Sequence, residues 1–376
     1  MTFDRSVAGV LARAEGRPAG FDYMRLLLSL SVIAMHTVVI CYGPAADLAM
    51  WASPARPVLR AILPMFFALS GFLVAASFMR CRTMGMFFGL RAIRIYPALI
   101  TEVALSALIL GPLLTAYPLA DYFSDHRFYA YLLNALGEPH YELPGLFQNN
   151  PNPGQVNRQL WTVPFELGCY LAMALLAVAG AIRRHVLAPL AAIALTVAYY
   201  IARDFKYAGV IPPTIGPMGG ALLIVAFLAG VTIYLYRERI PLNTALGIAS
   251  GLIGCALATF GDLNQFIAPW PLAYFTVYLG TLNPRRLGWL KHADISYGLF
   301  LYGYPVQQLF ASLGGIARNG YINFALSVMA TGIFATASWR YIEKPALNLR
   351  GPLRSWEDRY LERGRRRKLA QERNAI

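Results

Sequence analysis

The sequence predicts an all-α protein, a polytopic transmembrane bundle of about ten helices. Three observations predict it. The chain is 57% hydrophobic and only 14% charged, with mean hydropathy +0.48, whereas a soluble domain carries about a quarter charged residues. Its apolar stretches repeatedly approach the about 20 residues that a helix needs to cross a bilayer. Their pattern is continuous or 3.6-periodic, unlike the about ten-residue alternation of an outer-membrane barrel.

Ten spans follow in order: 22–42, 58–79, 95–116, 160–181, 186–202, 217–236, 243–260, 265–282, 295–313 and 320–341. The fifth and eighth are short, and the eighth contains Pro269 and Pro271. With the N-terminus in the cytoplasm, twenty-five of the 33 Lys and Arg residues fall in cytoplasmic segments, seven lie outside, and Arg25 sits in the first span. Basic residues favour the cytoplasmic side, so the asymmetry predicts both termini inside; the expected location is a bacterial inner membrane. The sequence divides into a membrane domain, 1–346, and a basic tail, 347–376. The apolar first run is long and "YGPAADLAM" behind it does not look like a cleavage site, so no cleavable signal is expected.

Topology accounts for the net charge of +14. "RGRRRK", from Arg363 to Lys368, reads as a cytoplasmic surface helix beside anionic lipid, not as a nucleic-acid site. The four cysteines have neither metal spacing nor the pattern of a disulfide framework, and no metal is expected. One long polar segment, about 117–159, interrupts the spans on the outer side. Its stretch "EPHYELPGLFQNNPNPGQVNRQ" is rich in Pro, Asn and Gly and predicts irregular backbone that could cap an outward-opening site.

The first span holds Arg25 and His36 in an otherwise apolar run. Eleven residues of α-helix return to within roughly 20° and advance about 16 Å, so the two share a face. Ionisable groups inside a membrane usually face the bundle interior and mark a site, and imidazole suits proton transfer near neutral pH. The duller alternative is a packed histidine hydrogen-bonded to a neighbouring helix.

Further stretches join this one: "MFFALSGFL" with Ser70, "RAIRIYPAL" with Arg91 and Arg94, "VNRQLWTVPFELGCYL" with Trp161 and Glu166, "ISYGLFLYGYPVQQ", and "YIEKPA". In this order they resemble the acyltransferase-3 family of integral membrane acyltransferases, from about Phe21 to Pro345. The resemblance implies ten helices and transfer of an acyl group, often acetyl from acetyl-CoA, to a hydroxyl of a carbohydrate or other acceptor. It places the family's essential histidine at His36, its paired basic residue at Arg25, and its R-x-x-R arginines at Arg91 and Arg94.

The residue chemistry suits that carry-over. Thioester transfer needs a base or an acyl carrier, and neutral imidazole serves as either. Coenzyme A phosphates call for arginine, so Arg25, Arg91 and Arg94 are expected to hold acyl-CoA, unless the latter two only anchor the span. Glu166 is expected either to orient His36 or to bind the acceptor. Trp161 either stacks on a sugar or anchors the interface. Ser70 either lines the substrate channel or permits close helix approach. Glu102 is a structural or relay residue.

Two departures from the family pattern stand out. Tyr302-Gly303-Tyr304-Pro305 lacks the histidine that many members carry there, which shifts the burden onto His36. Asn157-Arg158-Gln159 stands where small residues are frequent. The tail after Pro345 is only about thirty residues and basic, so no second, esterase-type domain is expected. The expected partners are acyl-CoA, a carbohydrate acceptor and the bilayer, with no nucleic acid; the sequence says nothing of oligomeric state. A glycan or lipid-intermediate transporter, and a non-catalytic membrane partner, remain the competing readings.

Overall fold

The computed structural model of the chain describes residues 6–16, 18–206, 215–260, 263–288 and 294–374. Arg5, Arg17 and Lys291, counted above among the cytoplasmic charges, lie outside the described residues. All ten predicted spans fall on helices: α1 (Gly20–Ala52), α2 (Arg56–Phe78), α3 (Met84–Leu105), α4 (Val163–Val178), α5 (Leu187–Lys206), α6 (Gly220–Leu235), α7 (Thr244–Thr259), α8 (Pro269–Thr281), α9 (Ser296–Ser312) and α10 (Gly320–Ser338). The tail forms α11 (Arg350–Asn374). Among the described residues, six helical runs are long and apolar enough to cross a membrane, and no named strand is present.

Two helices run further than their hydropathy predicts. α1 passes the expected end at 42 and kinks at Gly43, whose φ of 83° precedes Pro44. A left-handed φ favours glycine, and the bend brings this backbone against Pro151 of the long loop. α3 starts eleven residues before the expected 95, because Thr83 caps it by accepting a hydrogen bond from the Met86 N–H at 3.2 Å. Its far end loosens into a π turn, Ser106–Leu110, just before Pro112.

α2 and α6 form the central pair. α6 is apolar all round and buried along nearly its whole length, as a helix surrounded by others must be. The two backbones touch: a Cβ on Gly71 would collide with the Phe227 carbonyl, and one on Gly230 with the Ala68 carbonyl. Membrane helices pack closely through such small residues. Helix α8, short because Pro269 and Pro271 occupy its first turn, packs against this pair and against α1. α9 and α10 flank α1.

Segments assigned to one side by the charge count meet at one end of the bundle. Val7 N–H bonds the Ile240 carbonyl, Ala19 N–H bonds Asn283 Oδ1, and Arg82 pairs with Glu357. This is called the arginine end below. At the opposite, loop end, Gly320 N–H bonds Tyr42 Oη and buried Arg60 bonds Gln265.

The long segment at the loop end begins with two short helices, Leu119–Ser124 and His126–Leu132. Residues 138–157, where irregular backbone is predicted, are irregular. They dock on α9 for a specific reason. Pro305 has no N–H to give the Leu301 carbonyl one turn back. Asn157 Nδ2 (3.1 Å) and Gln159 Nε2 (3.0 Å) donate to that carbonyl instead. Asn150 Nδ2 donates to Gln308 Oε1 at 2.7 Å, and Asn152 Nδ2 to Tyr304 Oη at 2.6 Å.

Candidate active site

At the arginine end, α1, α2, α3, α4 and α9 enclose a cavity of about 960 Å³. Arg25, Ser70, Arg91, Arg94 and Glu166, five of the eight residues singled out in the sequence, line it. The Ser70-Gly71 pair divides its work by helix face: Gly71 meets α6, and Ser70 faces the cavity.

The arginines differ in their engagements. Asp294, just ahead of α9, accepts from Arg25 Nη1 at 2.5 Å and from Arg94 Nη2 at 2.7 Å. Arg94 also reaches Glu343 at 3.4 Å, and Glu343 accepts from Ser338 at 3.2 Å. Arg25 additionally pairs with Asp22 at 3.3 Å. Burial alone would raise the Asp294 carboxyl, but the two guanidiniums and the bonds from Ser296 outweigh it and hold it below the ordinary carboxylate range.

Arg91 has no carboxylate within ion-pair distance among the described residues. It donates to Ser77 Oγ at 3.1 Å and lies over the Tyr170 ring, 5.8 Å from its centroid. Its Nε is buried with no hydrogen-bond partner. The Arg25 Nε is likewise buried without a partner, so what sets Arg91 apart from Arg25 and Arg94 is the missing carboxylate, which leaves its guanidinium the one of the three suited to an incoming anion. Glu166 accepts from Tyr170 Oη at 2.6 Å, which ties the acid to the ring that carries Arg91.

His36 does not line this cavity. It is partly buried on α1, two turns beyond Ser29, and its ring meets Tyr304 edge to face at 5.0 Å. Phe66 and Phe300, with ring centroids 6.1 Å apart, line the cavity from α2 and α9. Phe300 is one turn before Tyr304, so the cavity wall on α9 comes within one helical turn of the ring that meets His36.

Trp161 is also outside the cavity: it is partly buried in the 3₁₀ turn leading into α4, against Phe165 at 5.8 Å. Its neighbour Thr162 lines the cavity. Glu102 is buried at 1% exposure and accepts from Ser106 at 2.8 Å, away from the cavity lining.

Sequence reasoning missed Asp294 and Glu343. Both adjoin motifs it used, Asp294 immediately before "ISYG" and Glu343 inside "YIEKPA". An acid next to a membrane span, in a chain with three arginines on spans, was the available signal. All four cysteines are free, and among the described residues no group of three or more His, Cys, Asp and Glu could hold a metal ion.

Comparisons with known proteins identify the family. A family model described as an acyltransferase domain matches residues 19–339. The chain is 28% identical over 314 residues to nodulation protein 10 of Rhizobium leguminosarum bv. viciae, covering 77% of this chain and 82% of that one. It is 26% identical over 341 residues to an O-acetyl transferase of Shigella phage Sf6, covering 88% of this chain and 97% of that one. No solved structure matches it. With a match running from α1 into the turn after α10, and a helical bundle built to cross a membrane, the chain belongs to the acyltransferase-3 family and is an acyltransferase of groups other than amino-acyl groups.

Proposed function

We propose that the protein is a membrane O-acyltransferase. It moves an acyl group, acetyl in the first instance, from acyl-CoA to a hydroxyl of a carbohydrate such as a surface or exported polysaccharide. The observation that carries the reading is the cavity in which Arg91 stands without a carboxylate partner among the described residues, at the end of the bundle from which α1 runs from Arg25 toward His36. The name of the phage relative supports the choice of O-acetylation.

In this reading the arginine end is cytoplasmic and the membrane is the bacterial inner one, as the charge asymmetry favours. Arg91 takes a donor phosphate, while Arg25 and Arg94, spaced by Asp294, set the positive field of the entrance. Glu166 acts from the donor side, aligning Tyr170 beneath Arg91, and Ser70 forms the wall beside the pantetheine arm. That arm passes between Phe66 and Phe300 and presents the thioester to His36. Trp161 and the long loop receive the carbohydrate at the other face.

The chemistry balances at His36. Neutral imidazole removes the acceptor hydroxyl proton as the oxygen attacks the thioester carbonyl. The C–O bond forms, the C–S bond breaks, and the imidazolium returns the proton to the departing thiolate of coenzyme A. An acyl-imidazole formed first and then attacked by the hydroxyl uses the same groups.

Purified protein in detergent, given acetyl-CoA labelled in the acetyl group, should release coenzyme A and label an added carbohydrate. Mass spectrometry of the host's surface glycans should show an acyl increment that vanishes with the gene. Unchanged glycans together with no turnover of acetyl-CoA would refute the reading.

A further inference from the structure

The tail helix α11 is read from sequence as a lipid-surface element, and the matched family region ends before it, at residue 339. Its first half nevertheless lies across the mouth of the cavity. Arg350, Arg354, Glu357 and Asp358, spaced to share one helix face, all line it. The helix is otherwise exposed and strongly polar, yet Glu357 is only 3% exposed. A buried acid on such a helix needs partners, and it has them: it accepts from Thr83 Oγ1 at 2.8 Å and from the Arg82 N–H at 3.1 Å. Arg82 also pairs with Asp358.

Apolar contacts complete the dock. Leu353 and Trp356 rest on Gly89 and Gly85 of α3, so closely that a Cβ at Gly85 would stand 2.9 Å from the Trp356 ring and one at Gly89 3.1 Å from Leu353. The groove is a glycine pair four residues apart, the spacing that lets helices approach. Thr83, which holds Glu357, is also the cap of α3, the helix that carries Arg91 and Arg94 two and three turns on.

Resting on the donor reading above, we infer that α11 is a further wall of the donor site and that Arg350 and Arg354 bind phosphate groups at its mouth. Both are exposed to the solvent side while lining the cavity, so they meet the part of a donor that stays outside the membrane. For acyl-CoA that part is the 3′-phosphorylated adenosine diphosphate, which suits planar guanidinium forks. A headgroup phosphate of the bilayer has the same chemistry, and the test separates the two.

The full chain is reconstituted in phosphatidylcholine nanodiscs, with and without one-fifth phosphatidylglycerol. The readout is the ratio of kcat/KM for acetyl-CoA to that for S-acetylpantetheine, which lacks the nucleotide. In Arg350→Ala/Arg354→Ala this preference should fall tenfold or more in both disc types, and Arg350→Lys/Arg354→Lys should recover part of it. Glu357→Gln, which weakens the latch without touching the arginines, should lower the preference by a smaller factor. A preference unchanged in the alanine variant overturns the assignment, even if both rates fall together. A loss confined to phosphatidylglycerol discs assigns the arginines to lipid and overturns it too. A wild type with no preference for acetyl-CoA defeats the donor reading and this inference with it, whereas a wild-type preference retained by the variant defeats the inference alone.

Discussion

Arg94 and Asp294 are 200 residues apart in the chain and 2.7 Å apart in the fold. The same Asp294 oxygen holds Arg25 at 2.5 Å, so one carboxylate joins α1, α3 and the entry to α9. It stands between two cations that would otherwise repel one another at the cavity edge, while Asp22 and Glu343 supply further negative charge to Arg25 and Arg94.

Removing that carboxylate should therefore destabilise the fold. Asp294→Ala leaves two guanidiniums facing each other, and the loss is expected to be about 3 kcal/mol, read as a lowered thermal midpoint in detergent. Asp294 is depressed below its ordinary value, so its contribution is fully present above the unfolded carboxylate pKa of about 4. It is lost as pH falls through the lower folded value. An acid titration in which wild type and Asp294→Asn lose stability in parallel would contradict this.

His36→Ala should bind coenzyme A as wild type does, because the ring lies outside the cavity. Transfer should fall by about 10² or more, the span of general acid–base catalysis. Equilibrium binding of coenzyme A and steady-state transfer measured on one preparation check both halves.

Arg91→Ala should act in the opposite sense. It removes the guanidinium with the unpaired buried Nε, so KM for acetyl-CoA should rise about tenfold, equivalent to about 1.4 kcal/mol, while the folded yield stays near wild type. Arg91→Lys should recover only part of the affinity, because lysine cannot stack on Tyr170 as guanidinium does.

Gly230→Ala places a methyl group against the Ala68 carbonyl. Backbone has nowhere to retreat in this pair, and overpacking of this kind costs typically about 1–3 kcal/mol. A lower thermal midpoint is expected, with Gly332→Ala, whose Cβ would meet nothing, as the control.

The Leu301 carbonyl provides a rescue experiment. Asn157→Ala/Gln159→Ala removes both its donors and should expose the 138–157 segment to limited proteolysis. Adding Pro305→Ala restores a backbone N–H one turn on and should slow the cleavage again. Equal cleavage in the double and triple variants would show that the loop docks for another reason.

Much of this was readable from sequence, for local reasons. Hydropathy alone placed all ten spans, since a bilayer-length apolar run needs no knowledge of its neighbours. Helical periodicity predicted one face for Arg25 and His36, but only the structure shows that Arg25 lines the cavity while the imidazole lies outside it, against Tyr304. Asp294 was legible only as an acid beside a predicted span, because nothing in the sequence says which arginines reach it from other helices. The early start of α3 was hidden by polar residues that depress an averaged hydropathy, although Thr83 is an ordinary cap. The docking of α11 depends on Gly85 and Gly89, and two glycines four apart read as nothing until a partner helix is known.

Ser70 and Gly71 give the cavity two walls of unequal compliance. The wall carrying Ser70 is bolted, backbone on backbone, to α6, so an incoming molecule cannot widen the chamber by pushing on it. The flank formed by α11 is held to α3 through the side chains of α11, so a bulkier cargo is expected to displace that flank before the one carrying Ser70.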